Sequence, residues 1–473
     1  MIDPLLFESV DEETPETELP VTGEIPGWLH GTLLRNGPAK FELGSGQLRH
    51  WFDGFAMLHK FQIADGKVTY KSRFLETEDW VKNKKAGKIM SRHWGTTADP
   101  CASIFTKFFS AFQKPKVSNT NVSFVKLPNK IAATSDFSTL VEFDFDSLET
   151  LHKVDFQDKM GNDFQFSASH HAYDPLTQEY FNVLGQPGPR GRFTVVKMQG
   201  ENFDRKPIAT IQAPKHTYFH SMGLTQHYVV FIEQPMRLHI WKLLFSRLLD
   251  APTEKCYQWQ PEAGVRVHLI HRETGEVKTI PCNPFFFFHT LNSFEEGDNL
   301  YVDLFLYQNP NVVKELYLDS LKEKGIPVED LAKIHRMTID LTTNTLTLEE
   351  KSSIYSDLGT FNFDKTCQPY RYAYALGYNE EVENDVFNEI VKFDLETGHT
   401  QRTYEKGHYP SEPLFVAAPD AVAEDEGVVL SVVLDIEKGN SYLSIRRAQD
   451  LREIARAHAP VRLPVGLHGM YYA

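Results

Sequence analysis

Cysteine is scarce in this chain, and its four copies, Cys101, Cys256, Cys282 and Cys367, are scattered along it. They form no CxxC pair, so neither a disulfide framework nor a cysteine-based zinc site is predicted. This usage favours a reducing compartment, and we expect a cytoplasmic protein.

Basic charge and long apolar runs are also lacking. The net charge is −15, which argues against general affinity for nucleic acid. No stretch of 18 apolar residues is present to span a bilayer, and the first residues do not resemble a signal peptide. Seven acidic and no basic residues precede residue 19, so residues 1–20 are expected to form an acidic, flexible arm.

The sequence contains no convincing P-loop, GxGxxG motif or Ser/His/Asp triad, which removes common signs of nucleotide binding and nucleophilic catalysis. Aromatic residues, in contrast, are abundant. Phenylalanine occurs 34 times, and Phe, Trp and Tyr together make up 12% of the chain. This composition suits a large β core or an apolar cavity.

One pattern recurs along the chain: a β-rich run, a short turn of Asp, Thr or Gly, and a second β-rich run. It occurs at 59–74, 140–156, 267–281, 335–351 and 390–405. Hairpins that recur about every 50–80 residues indicate a β-propeller, here with seven blades, although a large β-sandwich is the rival. We expect one propeller domain over residues 21–473, interrupted by helices near 104–114, 237–250 and 311–335.

Four consecutive phenylalanines, Phe285 to Phe288, precede His289. Because side chains alternate on a strand, Phe285, Phe287 and His289 are predicted on one face and the other two rings on the opposite face. The simplest interpretation is a core strand with one hydrogen-bonded histidine.

Three other histidines share this setting. His170, His220 and His468 lie among apolar or small residues, and each precedes a predicted strand. In chain order the four histidines, His170, His220, His289 and His468, are separated by 50, 69 and 179 residues. These spacings match no local metal motif. They are compatible with a propeller, where inner strands from several blades meet on the axis. Four neutral imidazoles would bind a borderline divalent ion such as iron, copper or zinc.

Several separated motifs resemble those of the carotenoid cleavage oxygenases. They are RNGPAKFELG (35–44), HWFDGFAMLHKF (50–61), ADPCASIF (98–105), YPSEPLFV (409–416), the four histidine segments and the LHG near the end. ADPC is similar to the PDPC element of the metazoan-type branch, which includes the β-carotene oxygenases and the retinoid isomerohydrolase. The resemblance runs from about residue 24 to residue 473.

The resemblance implies a seven-bladed propeller with a non-haem Fe(II) on its axis, held by His170, His220, His289 and His468. His171 competes with His170 as the first ligand. The spacing to Asp174 and Pro175 favours His170, and His171 then stands where the family usually has proline.

The family also uses three glutamates to hold the ligand imidazoles. Glu412 matches one of them directly, while alignment places Asp136 and Asp357 at the other two positions. Both aspartates are one methylene shorter than Glu. For an aspartate to take the role of Glu, either the backbone comes closer or a water bridges the contact; otherwise the alignment is shifted by a residue or two. Each aspartate is alternatively a turn residue.

The function implied is oxidative cleavage of a carotenoid C=C bond with O2 as co-substrate. We expect the central 15,15′ bond of β-carotene to be cut, giving retinal. Eccentric or apocarotenoid cleavage and retinoid isomerohydrolysis are the alternatives within the family. A non-catalytic propeller that binds a partner protein is the alternative of another class, and no obligate protein partner is evident.

Two segments combine apolar side chains with cationic neighbours, which is typical of an interfacial membrane patch or of a core helix with a solvated edge. The expected patch residues are Phe105, Phe108, Phe109, Phe112, Ile240, Leu243 and Leu244. We therefore expect peripheral membrane association. Candidates for the wall of an apolar substrate tunnel are Phe52, Phe287 and Tyr307.

Overall fold

The computed structural model describes residues 2–97, 118–158, 160, 164–246 and 251–473. Antiparallel strands dominate it, and helices are short and few. The predicted all-β class is therefore confirmed.

The two ends of the chain share one sheet, named sheet A. The last strand pairs with an early strand so that His468 lies opposite Asn36. The strands of sheet A, in spatial order, are Thr17–Glu18, Lys67–Phe74, Phe55–Ala64, Gly31–Lys40 and His468–Tyr472.

Sheets B, C and D follow along the chain. Sheet B consists of Thr150–Lys153, Val141–Phe143, Lys130–Thr134 and Ser123–Leu127. Sheet C consists of Phe166–Ser167, Glu179–Gln186, Gly191–Gln199 and Lys206–Ala213, with Ala172–Asp174 beside Glu179–Gln186. Sheet D consists of Gly223–Leu224, Tyr228–Glu233, Val265–His271 and Val277–Cys282.

Sheet E is larger, because one strand of 17 residues pairs with different neighbours along its two halves. Its strands are Phe286–Glu296, Asn299–Tyr307, Lys333–Asp340, Thr345–Phe361, Tyr372–Gly377, Glu389–Asp394 and Thr400–Tyr404. Sheet F consists of Val21–Gly23, Glu453–His458, Asn440–Arg447, Gly427–Asp435 and His408–Pro410, with Leu414–Ala417 beside Gly427–Asp435. Two small ribbons pair Met236–Leu238 with Tyr257–Trp259, and Glu42–Leu43 with Gly46–Gln47.

The α-helices in the described residues are Glu78–Ala86, Ile240–Ser246, Val312–Glu315 and Leu318–Lys324. Short 3-10 helices occur at Pro4–Phe7, Trp51–Asp53, Glu254–Cys256, Pro261–Ala263, Val328–Asp330 and Phe363–Lys365. The helix predicted at 104–114 lies outside the described residues. The helix predicted at 311–335 is two short helices instead of one long segment.

The helix Glu78–Ala86 was not predicted, although its ends carry ordinary signals. The Thr77 side chain accepts a hydrogen bond from the Trp80 amide, which caps the first turn. Gly87 closes the helix at a φ of 61°, a left-handed conformation that glycine adopts without strain. The charged face of this helix gave little apolar periodicity to detect.

Residues 1–20 were expected to form an acidic, flexible arm, but residues 2–9 pack against the rest of the protein. Ile2, Leu6 and Phe7 are buried in the largest apolar cluster of the protein. Arg462 holds this segment by donating hydrogen bonds to the carbonyls of Leu5, Glu8 and Ser9. Most acidic residues of this segment are exposed, and the burial of its apolar side chains decides where the segment lies.

The described helices include none that is both long and apolar enough to cross a bilayer.

Candidate metal centre

The four predicted histidines come together where sheets A, C, D and E meet. His170 lies in the bend between Phe166–Ser167 and Ala172–Asp174, and His220 lies just before Gly223–Leu224. His289 is inside the first strand of sheet E, and His468 begins the last strand of the chain. One ring nitrogen from each of the four lies within 4.8 Å of the other three. This spacing suits a single ion bound by all four.

Three of the four rings are held by a carboxylate. His220 Nδ1 lies 2.7 Å from Asp136 Oδ1, His289 Nδ1 lies 2.7 Å from Asp357 Oδ1, and His468 Nδ1 lies 2.8 Å from Glu412 Oε1. An ionised carboxylate only accepts hydrogen bonds, so each Nδ1 carries the proton and each Nε2 keeps a lone pair for a metal. Both aspartates reach their histidine directly, without a bridging water.

Tyrosines hold the two aspartates in turn. The Tyr218 hydroxyl donates to Asp136 Oδ2 at 2.9 Å, and the Tyr307 hydroxyl donates to Asp357 Oδ2. Burial, followed by the nearby carboxylate, raises the pKa of each of these tyrosines well above its ordinary value, which keeps the donor proton in place. The role of Tyr218 is not predicted from the sequence. The one sequence signal for it is its position two residues before His220.

Glu412 is supported by the backbone instead. The Gly469 amide donates to Glu412 Oε2 at 2.8 Å, and the Arg35 guanidinium donates to the Glu412 carbonyl at 3.0 Å. Burial raises the pKa of Glu412 to about 7, while the Arg35 charge opposes that rise. A divalent cation on His468 would act in the same direction as Arg35 and favour the carboxylate.

His170 has no carboxylate partner within the described part of the chain. Its backbone amide donates to the His220 carbonyl at 3.3 Å. The preceding Ser169 is held at both ends, because its hydroxyl donates to Asp136 and its carbonyl accepts from Thr134 Oγ1 at 2.8 Å. The ring of His170 lies 4.2 Å from the ring of His468, centroid to centroid.

The donor set fits a metal ion. The Nε2 atoms of His170 and His289 are buried and have no hydrogen-bond partner among the described residues. Burial and the neighbouring imidazoles hold the pKa of His170 and of His468 well below the ordinary value, so the neutral, ligating form is favoured. Four neutral nitrogens and no cysteine sulfur suit a borderline divalent ion.

His171, the competing residue, lies outside this group of ligand atoms. Its Nε2 lies 2.7 Å from the side-chain nitrogen of Asn182. The His171 ring therefore contacts sheet C, and it is not one of the four rings that could share a metal ion.

An apolar cavity of about 110 Å³ opens on one side of the histidines. His220, His289 and His468 contribute to its wall, as do Phe52 and Tyr307, two of the predicted tunnel residues. The ring of Phe52 meets that of Phe288 edge to face, with 5.9 Å between centroids. The cavity offers an apolar space beside the candidate metal position.

Phe287 does not line this cavity, and that prediction is corrected. Its ring is fully buried in a separate cluster between sheets D and E, where Phe285 packs beside it. The pairing of this strand with Asn299–Tyr307 shifts register between Phe287 and Thr290. This irregularity breaks the simple alternation, so His289 lines the cavity together with Phe288.

A second, wider cavity of about 1000 Å³ lies on the other side of the site. His170, His289 and His468 reach it, and its wall carries hydroxyl and amide groups such as Thr290 and Asn292. The four histidines thus lie between an apolar cavity and a wider cavity of mixed polarity.

Only part of the predicted membrane patch lies within the described residues. Phe105, Phe108, Phe109 and Phe112 lie outside the described residues. In the helix Ile240–Ser246, Leu243 packs against the core, Ile240 is half-buried and Leu244 is exposed. Trp241 and Phe245, which were not predicted, are exposed to a greater extent than Leu244.

Comparison with known proteins identifies the family. Residues 7–473 match the model for the retinal pigment epithelial membrane protein family. The chain is 30% identical to a protein of Mustela putorius furo named carotenoid-cleaving dioxygenase, mitochondrial, over 99% of this chain and 96% of the relative. It is 31% identical to a carotenoid isomerooxygenase of Galleria mellonella, over 98% and 94% of the two chains.

Solved structures agree. A cobalt-substituted form of the Synechocystis apocarotenoid oxygenase superposes with a TM-score of 0.88 at 25% identity, and 99% of each chain is covered. The match of the family model spans nearly the whole chain, and the sequence motifs had indicated the same group. This chain therefore belongs to the retinal pigment epithelial membrane protein family, that of the carotenoid oxygenases.

Proposed function

We propose that this protein is a non-haem iron dioxygenase that cleaves a carotenoid C=C bond. One O2 adds across the bond, and each of the two aldehyde products takes one oxygen atom, so no other reductant is needed. The observation that carries the proposal is the group of four imidazoles, three of them bonded to carboxylates, on the wall of an apolar cavity.

The ligands that we propose for Fe(II) are His170, His220, His289 and His468. Four neutral ligands leave the site with a charge of +2 and with room for O2, and the iron would supply the activation of O2 that an organic side chain cannot. Asp136, Asp357 and Glu412 orient three of the imidazoles. Phe52, Phe288 and Tyr307 provide apolar contact for a polyene and exclude water from it.

The bond that we expect to be cut is the central 15,15′ bond of β-carotene, with retinal as product. A mouse relative that is 29% identical over 97% of this chain is named β,β-carotene 15,15′-dioxygenase. The alternatives are eccentric or apocarotenoid cleavage, and isomerisation of a retinoid. Isomerisation is included because the Galleria mellonella relative is named a carotenoid isomerooxygenase.

We also propose a single seven-bladed propeller over residues 21–473. Sheets A, B, C, D and F would each form one blade, and the two halves of sheet E, which share the strand Thr345–Phe361, would form two more. Pairing of the first and last strands in sheet A would close the ring.

Carotenoids dissolve in lipid, so we propose peripheral membrane association of a cytoplasmic protein. The exposed side chains of Trp241, Leu244 and Phe245 on one short helix, beside Lys242, support a contact with a bilayer surface. Trp241→Ser together with Phe245→Ser should reduce sedimentation with liposomes several-fold. Unchanged sedimentation would remove this helix from the membrane contact.

Incubation with β-carotene under 18O2 tests the function. We expect retinal that carries one labelled oxygen per molecule when the reaction is stopped before aldehyde exchange with water. An apocarotenal and an ionone as products would keep the enzyme class and exclude central cleavage. Conversion of all-trans retinyl ester to 11-cis retinol without label would exclude the dioxygenase assignment.

A further inference from the structure

The two cavities beside the histidines differ in how they meet the surface. Every described residue on the wall of the apolar cavity is buried or half-buried, and none of those residues is exposed. The carboxylates on that wall, Asp53, Asp136 and Asp357, already accept hydrogen bonds from the protein. A hydrated cation would therefore find few oxygen atoms on this side to replace its water, and desolvation without such replacement is unfavourable.

The wider cavity, in contrast, opens at the surface. Exposed residues on its wall include Pro128, Tyr173, Gln178, Phe363 and Asp364. Its inner end reaches three of the four histidines. A space of about 1000 Å³ thus connects the solvent with the candidate metal position.

The histidines divide unequally between the two cavities. His170 lines only the wider cavity, His220 lines only the apolar one, and the other two histidines line both. Glu412, the partner of His468, also lines the wider cavity. An ion that arrives from the wider side therefore meets three imidazoles and a carboxylate, and His220 completes the set from the opposite side.

Hydroxyl oxygens on the wall of the wider cavity suit a hydrated passage. Those of Ser293 and Tyr472 are buried and have no hydrogen-bond partner among the described residues. A buried hydroxyl without a partner is unfavourable unless water or a ligand pairs with it. A divalent cation in such a passage can exchange its water for protein oxygen atoms one at a time.

The charges along the wider cavity do not oppose a cation. Asp364 lies exposed at the mouth, and Glu412 lies at the inner end. The Lys126 ammonium is placed over the Tyr472 ring, 4.5 Å from its centre. The two carboxyl groups offset this ammonium, so the passage does not repel a divalent cation.

We propose that the wider cavity is the path by which the divalent metal ion reaches and leaves the four histidines, while the apolar cavity is left to the polyene. A metal site inside a folded protein needs such an entry path. The proposal rests on the proposed function, because it assigns a path to the iron of the same site. Iron exchange is then independent of whether the apolar cavity is filled.

The first test needs no variant. Release of Fe(II) from the iron-loaded protein to excess ferrozine, a hydrophilic chelator, is followed by absorbance in the absence of O2. Uptake of Fe(II) by the same full chain after stripping is followed by rapid desalting and metal analysis. Saturation with β-carotene, monitored by the absorption shift of the bound polyene, should change both rate constants by about twofold or less, because the ion does not pass through the filled space.

A variant on the wall of the wider cavity should obstruct the path. Thr290 lines this cavity and not the apolar one, and its hydroxyl donates to the Met222 carbonyl at 3.0 Å. Thr290→Phe should lower uptake and release by the same factor of about tenfold or more at unchanged Kd, since an obstacle slows both directions equally. Thr290→Val, which loses the same hydrogen bond without filling the cavity, is the matched control and should keep both rates.

A charge change at the mouth tests the path without touching the interior. Asp364→Lys should slow uptake by about threefold to tenfold at low ionic strength, and the difference should vanish near 1 M salt, where charges are screened. Glu262→Lys makes the same charge change at an exposed residue that lines neither cavity. This control should keep the uptake rate of the unchanged protein.

Uptake and release that both slow strongly when β-carotene is bound would assign the path to the apolar cavity and overturn the proposal. Unchanged rates in Thr290→Phe would also overturn it. The comparison with β-carotene uses the unchanged protein, so a variant that fails to fold does not remove the test. Iron exchange by the proposed path in a protein that leaves carotenoid uncleaved under O2 would contradict the proposed function and leave the path standing.

Discussion

The four histidines of the candidate metal centre are positioned in two different ways. His220, His289 and His468 each donate from Nδ1 to a carboxylate. His170 is positioned by its backbone amide and by the anchored Ser169, without a carboxylate among the described residues. A carboxylate fixes the ring and raises its basicity, whereas a backbone anchor fixes only the place from which the ring extends. Substitutions around the three rings should therefore disturb metal binding more than substitutions around His170.

The largest effect is expected from removing a ligand itself. Alanine at His170, His220, His289 or His468 should abolish most bound iron and lower cleavage by more than about 100-fold, because three imidazoles leave the ion exposed to water. Metal analysis and product chromatography measure both. His171→Ala is the neighbouring control and should retain iron. If His171→Ala loses iron and His170→Ala keeps it, the first ligand is misassigned.

The next largest effect is expected from the carboxylates. Asp136→Asn, Asp357→Asn and Glu412→Gln should each lower iron affinity or activity by about 10–100-fold, the usual range for partners of a metal-bound histidine. Iron titration under anaerobic conditions measures this. Glu295→Gln is a matched control, since Glu295 also pairs with a histidine, His227, at 2.9 Å, and that histidine is not one of the four proposed ligands. Full iron affinity in an aspartate variant would reduce that aspartate to a structural role.

A smaller effect is expected from the tyrosines that hold the aspartates. Tyr218→Phe and Tyr307→Phe each remove one hydroxyl donor and keep the ring, so iron affinity should fall by about tenfold or less. Combining either tyrosine variant with the matching aspartate variant should lower iron affinity little further than the aspartate variant alone, because the tyrosine acts only through that aspartate. Additive losses in Tyr218→Phe with Asp136→Asn would show that the hydroxyl acts independently.

The smallest effect is expected on the His170 side. Thr134→Val keeps the shape and removes the hydrogen bond to the Ser169 carbonyl. Iron affinity should change by about threefold or less, since a single neutral hydrogen bond is lost and the backbone remains packed. A loss as large as that of the carboxylate variants would erase the distinction between His170 and the other three histidines.

Much of this centre could be predicted from the sequence because its residues lie in recognisable segments. The four histidines and Glu412 stand in motifs that resemble those of the family, and the structure brings all four rings together. Asp136 and Asp357 were uncertain because they are shorter than Glu. Their direct contacts depend on how close the strands approach, and no sequence pattern reports that distance.

The errors have physical causes. Phe287 was chosen by strict alternation, and a register shift of the strand, invisible in a run of identical residues, gave the cavity to Phe288. The N-terminal segment was judged by its acidic residues, while Leu6 and Phe7 decide its packing. Tyr218 carries no sequence pattern of its own, and only the fold shows that its hydroxyl lies beside Asp136.

The central claim is one Fe(II) held by four imidazoles, and X-ray absorption at the iron edge of anaerobically purified protein tests it most directly. Metal analysis of the same sample gives the stoichiometry. We predict one iron per chain with four nitrogen ligands of histidine type, contributed by His170, His220, His289 and His468. Iron bound by carboxylate oxygens, fewer than four imidazoles, or a chain that binds no iron would contradict the claim.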